Sequence, residues 1–564
     1  MNKSRSFIVC ALLALFALSL TLIGQSFAQI QMTEKESKGL LRMPLEMIIS
    51  RRTSIRNFSL AVPVTWELAS EVLWAACGYS GAGRTTPTLA GHPIIVYYCN
   101  QTATYKFVPE TRDLILWKKG DFRELGWGYS APVQLYVVLD TEASPDIIWG
   151  NAESGFVIQN IYLMANALNL GTVCQYVSAD GQTIIHEGLD LPETELVLYK
   201  MPLGFPSPPY NDYKHLNLTV CPSSPELTEI QESNMSFEKA LDSVFSSNNW
   251  SEVPITKKEL SQILWASYGY SYYEDASVDP SKRHRTVPSS HSSYPMKIFA
   301  ANSSGVYQYL PEQHTLTTIV TGDRLQSIAQ ASGNTWASSA PLIIAVVYNG
   351  SSKPSFGEYV EIGLITQNVY LESAAWGILT DWGKADTNEN AVLTSLGLSG
   401  QANLHPLSII TLGHIADGSP PVISNLIQEP ASPNVPPYQS VVIKVNVTDV
   451  GSSVRNVTLT YSINNGAIWL SLNMVEVALS IYEATIPGYA NGTWVKYKII
   501  AYDNTGNQAI GDSHEYCYSS QAIPELFSWG SIIFLICIMT LTVIAAKRRL
   551  KKSCANEASI LARD

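Results

Sequence analysis

Three arginines, Arg51, Arg52 and Arg56, fall within six residues and are interleaved with Thr53 and Ser54. Guanidinium groups this close repel one another unless an anion or solvent stands among them. Their planar, permanently charged, five-donor heads suit phosphate oxygens better than a point charge does, and nearby hydroxyls add donors. The stretch reads either as a phosphate clamp or as a solvated basic turn. No group of His, Cys, Asp or Glu has metal-ligand spacing, so no metal is expected. No nucleophile with a base beside it stands out either, and no catalytic residue is assigned.

Composition narrows the partners. The chain has 564 residues, 46% of them hydrophobic, and a formal charge of −12. That length suggests several domains with real cores, and the acidic balance argues against nucleic acid.

The elements that must hold the clamp follow it. Thr65 caps an amphipathic helix running to Ala76, with Leu68, Val72 and Leu73 on one face. Ile94 to Tyr98 and Val133 to Leu139 read as strands. Glu153 to Leu170 is a helix apolar nearly all round, hence buried in mid-fold, with Gly171 as its stop. Leu196 to Tyr199 is another strand, and Phe205-Pro206-Ser207-Pro208-Pro209 starts a linker.

Much of this happens twice. Glu67-Leu68 with Leu73-Trp74-Ala75 returns as Glu259-Leu260 with Leu264-Trp265-Ala266. Arg84-Thr85-Thr86-Pro87 returns as Arg285-Thr286-Val287-Pro288, and Ser130-Ala131-Pro132 as Ser339-Ala340-Pro341. Gly155 with Gln159-Asn160 and Tyr162-Leu163 returns as Gly363 with Gln367-Asn368 and Tyr370-Leu371. The order is kept throughout, so residues 38–207 and 233–416 are two copies of one α+β domain joined by a linker at 208–232.

From 419 to 518 the texture is different. Val441 to Val447, Val457 to Tyr461 and Trp494 to Tyr502 are short alternating strands between turns such as Asn464-Asn465-Gly466. This is the pattern of a β-sandwich of immunoglobulin or fibronectin type III kind, placed as a stalk.

The ends suggest export. Lys3 and Arg5 precede an apolar run and small residues at Ser26-Phe27-Ala28, the pattern of a signal peptide over 1–28. Residues 526–546 are uncharged and long enough for a transmembrane helix, and a basic cytoplasmic tail follows at 547–564. The expectation is a single-pass protein of the cell membrane with its N-terminal part outside. The sequons at Asn100, Asn217, Asn234, Asn302, Asn349, Asn446, Asn456 and Asn491 point to a glycoprotein. A Cys77–Cys99 disulfide is compatible with the spacing but not fixed by it.

The first copy resembles the nitroreductase family, particularly its branch of SagB-type dehydrogenases. The marks run in order: R-x-S-x-R-x-F at Arg52 to Phe58, E-L-x-x-x-x-L-W-A-A at Glu67, R-T-x-P at Arg84, G-D-x-R at Gly120, A-P-V at Ala131, Q-N-x-Y-L from Gln159, and L-G-F-P at Leu203. The resemblance implies a three-layer α+β fold that pairs tightly, holds FMN between its two halves and runs an FMN-dependent oxidoreductase reaction. Carried over, Arg52 and Ser54 would hold phosphate and ribityl oxygens, with Arg51 assisting. Arg56 would lie near the flavin N1–O2 edge, and the Cys174-Gln175-Tyr176 loop would approach the ring, with Gln175 as a contact.

The second copy has no arginine where the first has its clamp; Ser243 to Ser251 stand there instead. It keeps the family's Pro288-Ser289-Ser290, which in the resemblance reaches the partner's flavin, whereas the first copy reads Pro87-Thr88-Leu89. The two losses are complementary. They imply an intramolecular pseudo-dimer with one FMN site, built from Arg52, Ser54 and Arg56 of one copy and Pro288, Ser289 and Ser290 of the other. The alternative is a non-catalytic cell-surface binding or structural protein that keeps the fold.

Overall fold

The structure is a computed structural model that describes residues 43–519, apart from 81–82, 90, 208–223, 234, 244–249, 252, 271–284, 415–417, 432–433, 450–453, 479 and 504. The chain forms two compact units that divide at Ser419–Pro420.

In the first copy, α1 (Leu45–Arg51) leads to α2 (Trp66–Cys77) and a run of antiparallel strands: β1 (Ile94–Cys99), β2 (Ala103–Val108), β3 (Asp113–Lys119) and β4 (Val133–Asp140). Then come α3 (Ile147–Ala167), β5 (Gly171–Thr172), β6 (Gln175–Tyr176), α4 (Ala179–Leu189) and β7 (Glu195–Gly204). The sheet order is β3-β2-β1-β4-β7-β5, with β6 also on β7. Thr65 caps α2 by accepting the Leu68 N–H. Helix α3 begins earlier than its apolar run suggests, because the Asp146 side chain accepts the Trp149 N–H and caps it there. It ends at Ala167, with Leu168 as its cap and ahead of the expected Gly171 stop, because Asn169 takes the left-handed turn at φ 57°. Asparagine tolerates that region better than most side chains.

The second copy repeats the plan. After α5 (Phe237–Asp242) and α6 (Lys257–Tyr268) come β8 (Met296–Asn302), β9 (Gly305–Leu310), β10 (Thr315–Thr321), α7 (Leu325–Ala331), β11 (Leu342–Asn349), α8 (Phe356–Ala375), β12 (Ile378–Lys384), α9 (Glu389–Ser395) and β13 (Leu404–His414). Its sheet order, β10-β9-β8-β11-β13-β12, matches that of the first copy.

Helices α3 and α8 lie against each other, and one hydrophobic core runs through both copies. The helices touch where Gly155 meets Gly363: a Cβ added to Gly155 would lie 2.7 Å from the Gly363 Cα. One turn on, polar side chains pair reciprocally. Gln159 Nε2 donates to Asn368 Oδ1 at 2.7 Å, and Gln367 Nε2 donates to Asn160 Oδ1 at 2.9 Å. Asn160 also donates to the carbonyls of Ala75 and Thr85, and Asn368 to those of Ala266 and Thr286. These buried amides therefore fasten each loop after the R-T motif to the central helix pair.

The second unit is β-rich. One sheet holds four strands, Val422–Glu429, Val441–Thr448, Ile481–Ile486 and Val475–Ala478 in spatial order. The other is six-stranded and centred on Val454–Ser462 and Trp494–Asp503. Val441, Ile443, Val457, Leu459, Val495 and Tyr497 from both sheets share one core.

No helix among the described residues is long and apolar enough to cross a membrane. The long apolar helices, α3 and α8, are buried against each other. The expected transmembrane helix and the single-pass membrane localisation built on it are therefore not supported. Residues 526–546, the signal peptide at 1–28 and the tail at 547–564 lie outside the described residues. Cys77 and Cys99 are both free and buried, so the Cys77–Cys99 bond is not formed.

Candidate functional site

Helix α1 delivers the arginines. Leu45, Ile48 and Ile49 are buried, and the chain leaves the helix at Arg52, whose ψ of 122° is extended. The next residues run beside β5, where the Ile55 N–H donates to the Thr172 carbonyl at 2.9 Å. Ile55 presses on Gly171: a Cβ there would lie 2.7 Å from that of Ile55, so only glycine fits.

The three guanidinium groups do not converge. Arg52 turns inward and is 2% exposed. Its Nε and Nη2 donate to the carbonyl of Arg285, in the second copy, at 3.3 and 3.0 Å. Its guanidinium carbon lies 5.4 Å from the centre of the Tyr162 ring. Its Nη1 is buried without a partner. Arg51 turns sideways, with Nη2 donating to Asn169 Oδ1 at 3.4 Å. Arg56 is exposed and donates from Nη1 to the Ser54 carbonyl at 3.3 Å. Ser54 Oγ, half-buried, lies 3.1 Å from the hydroxyl of Tyr162.

Tyr162 stands on α3, and its hydroxyl accepts the Cys174 N–H at 2.7 Å. Burial pushes that hydroxyl up to about 12 and the Cys174 thiol also up to about 12. Both therefore keep their protons at neutral pH. The Gln175 carboxamide faces the other way: Gly128 packs directly on it, and its Oε1 accepts the Tyr129 N–H at 3.4 Å.

From the second copy, the loop after Arg285 arrives on the same seam. The Arg285 guanidinium sits among Tyr268, Tyr270 and Tyr294, 4.3 to 4.9 Å from their ring centres. Pro288 is half-buried. Ser289 Oγ donates to Glu361 Oε2 at 2.6 Å and accepts the Tyr294 N–H at 3.0 Å. The Tyr268 hydroxyl donates to the other oxygen of Glu361. Burial raises the Glu361 carboxyl to about 7. Ser290 is exposed and pairs with His291 Nδ1 at 3.0 Å. Thus Ser289 is tied into its own loop, while Ser290 remains open to solvent.

Sequence reading missed Tyr162 and Glu361. A signal for the second was present: Glu153 and Glu361 both stand six residues before the Gln-Asn pair. Glu153 plays the matching part in the first copy, accepting the Thr88 hydroxyl at 3.1 Å and the Leu89 N–H.

The corresponding place in the second copy is built differently. Residues 244–249, which align in sequence with the clamp, lie outside the described residues. Nearby the copies superimpose in pattern, since Ser59 N–H donates to the Phe205 carbonyl and Ser251 N–H to that of His414. In register, Thr172 and Gln175 pair with Leu203 and Lys200, while Thr380 and Gly383 pair with Leu412 and Ile409. That alignment sets Trp382 where the first copy has Cys174. Trp382 is buried, with its ring 5.0 Å from Phe156 and 5.9 Å from Trp149 of α3.

The chain matches the nitroreductase family over residues 49–205 and 247–414, more than half its length, and belongs to that family. A protein of Methanocaldococcus jannaschii named as a nitroreductase is 30% identical over 170 residues, which cover 28% of this chain and 80% of that relative. Among solved structures, a nitroreductase-type protein from Anabaena variabilis is 15% identical with a TM-score of 0.49, over 62% of this chain and 88% of its own. One from Desulfovibrio desulfuricans, solved in complex with FMN, is 16% identical with a TM-score of 0.25, over 32% and 87%. Membership in this family supports oxidoreductase activity.

Proposed function

We propose that the two copies act as an intramolecular pseudo-dimer that binds one FMN along the seam between them and uses it as an oxidoreductase. One observation carries the reading: Arg52 of the first copy is buried against the Arg285 carbonyl of the second, so clamp and serine loop meet on one seam. The residues fit a phosphate-bearing flavin. Arg52 keeps a buried N–H without a partner, and Ser54 and Arg56 offer accessible donors beside it. Charge-assisted bonds from such donors hold phosphate strongly.

When bound, the flavin would supply hydride transfer. The protein's part is to hold and orient. Arg52 and Ser54 would grip the phosphate end, with Arg51 held to one side by Asn169. Arg56 is free to swing over the ring's electron-rich edge. Ser290 would close the site from the second copy, and Pro288 and Ser289 would hold the shape of that loop through Glu361. Gln175 faces Gly128 and Tyr129, so a ring contact in this loop falls to its backbone. Trp382 favours a single site, because a bulky buried indole stands where the first copy has the smaller Cys174. We read the first copy's R-x-S-x-R-x-F as that of the SagB-type branch, and residues 419–518 as an immunoglobulin- or fibronectin-like fold.

FMN titration of the purified chain tests this. One FMN per chain is expected, with Arg56→Ala weakening it at unchanged stability. Two FMN per chain, or none, overturns the reading.

A further inference from the structure

The hydroxyl of Tyr162 joins the two halves of the first copy's cradle. The ring is buried on α3. Its oxygen accepts the Cys174 N–H at 2.7 Å and lies 3.1 Å from Ser54 Oγ. A backbone amide can only donate, so toward Cys174 the phenol is the acceptor. Its single hydrogen is then available for Ser54. Ser54, having accepted that hydrogen, keeps its own for a third group.

With Tyr162 as donor, one of the two orders that its contact with Ser54 permits, the groups form a directed relay from the Cys174 N–H through the Tyr162 hydroxyl to the Ser54 hydroxyl. Each bond polarises the next, and the relay ends at a half-buried oxygen two residues from both Arg52 and Arg56. An acceptor with full negative charge is what such a terminus favours. In the second copy the starting amide is engaged elsewhere. Trp382, in the place of Cys174, gives its N–H to Asp381 Oδ1 at 2.9 Å.

Resting on the flavin reading above, we propose that Tyr162 is a positioning residue that commits Ser54 to donate to the nucleotide's phosphate, so that the site discriminates phosphorylated from dephosphorylated flavin. The group beyond Ser54 is a phosphate monoester. Riboflavin, which ends in a neutral hydroxyl, gains nothing from the relay.

The test compares FMN and riboflavin binding by flavin fluorescence, using the full chain and its Tyr162→Phe and Ser54→Ala variants. Tyr162→Phe is expected to weaken FMN roughly tenfold, the scale of one bond to a charged group. Riboflavin affinity should change by less than about twofold. Ser54→Ala should match it, and the double variant should be no weaker than Ser54→Ala alone. The FMN-to-riboflavin ratio is insensitive to the folded fraction, so a loss of stability cannot imitate the result. Equal weakening of both ligands, or of neither, overturns the proposal. Wild-type protein that binds neither ligand overturns the flavin reading itself.

Discussion

The Arg52 guanidinium lies against the carbonyl of Arg285, 3.0 Å from Nη2, although the two residues are separated by 233 positions in the chain. The same side chain covers the Tyr162 ring. A side chain from the segment after α1 therefore spans the boundary between the copies at the point where the second copy's serine loop begins.

Arg52 and Arg56 should separate structure from binding. Arg52→Ala removes two cross-copy bonds and leaves the Arg285 carbonyl unmet, a loss of about 1–3 kcal/mol in stability, with FMN binding lost as well. Arg56 is exposed and donates to the Ser54 carbonyl two residues back. Arg56→Ala should leave the thermal midpoint within about a degree and weaken FMN alone. Thermal melts with and without added FMN check both.

Glu46 of α1 and Glu372 of α8 form a buried carboxyl pair between the copies. Glu46 accepts the Ser233 N–H, and Glu372 accepts from Gln262 and Trp376. Burial raises Glu46 to about 7, and burial together with the Glu46 charge raises Glu372 well above the usual range. An acid with a raised folded pKa is stabilising below its unfolded value and loses that contribution as pH rises toward the folded value. Stability should therefore fall as pH rises from about 4.5 to 7 through Glu46, and Glu372, raised in the same direction, should deepen that fall. The Glu46 share is at most about 3 kcal/mol. Glu372→Gln should flatten the fall. Denaturant unfolding across that range measures it, and an unchanged slope would refute the pairing.

Gly155 and Gly363 leave no space between α3 and α8. Gly155→Val should cost about 1–3 kcal/mol or more through overpacking, because the obstruction is backbone that cannot rotate away. Limited proteolysis should find the copies opening before either sheet is cut. A variant as resistant as wild type would mean that the helices slide freely.

Much of this was legible, and the limits are physical. Thr65 and the apolar face behind it gave α2 to within a residue, because caps and periodicity are local. The α3 stop was misplaced, since Asn169 takes a turn that usually falls to glycine, while Gly171 is needed for its contact with Ile55. The arginine trio was visible as a segment, yet its splay was not. Where each guanidinium goes depends on Arg285 and Asn169, far away in the chain. Tyr162 was invisible as a site residue because a buried tyrosine on a central helix reads as core. Only its partners, Ser54 and Cys174, reveal its hydroxyl.

Trp382 separates two explanations for a single site. The second copy lacks the arginines, and it also has a buried indole where the first has Cys174. Replacing Trp382 with alanine should cost about 3–5 kcal/mol, because the ring packs on Phe156 and Trp149 and leaves a cavity. FMN stoichiometry should remain one per chain, since space without a phosphate counter-charge does not bind a dianion. Trp382→Ala combined with Val244→Arg, at the position that aligns with Arg52, would then be the smallest change expected to admit a second flavin. Equilibrium dialysis of both variants decides it. A second FMN in Trp382→Ala alone would mean that the indole, and not the missing charge, closes that side.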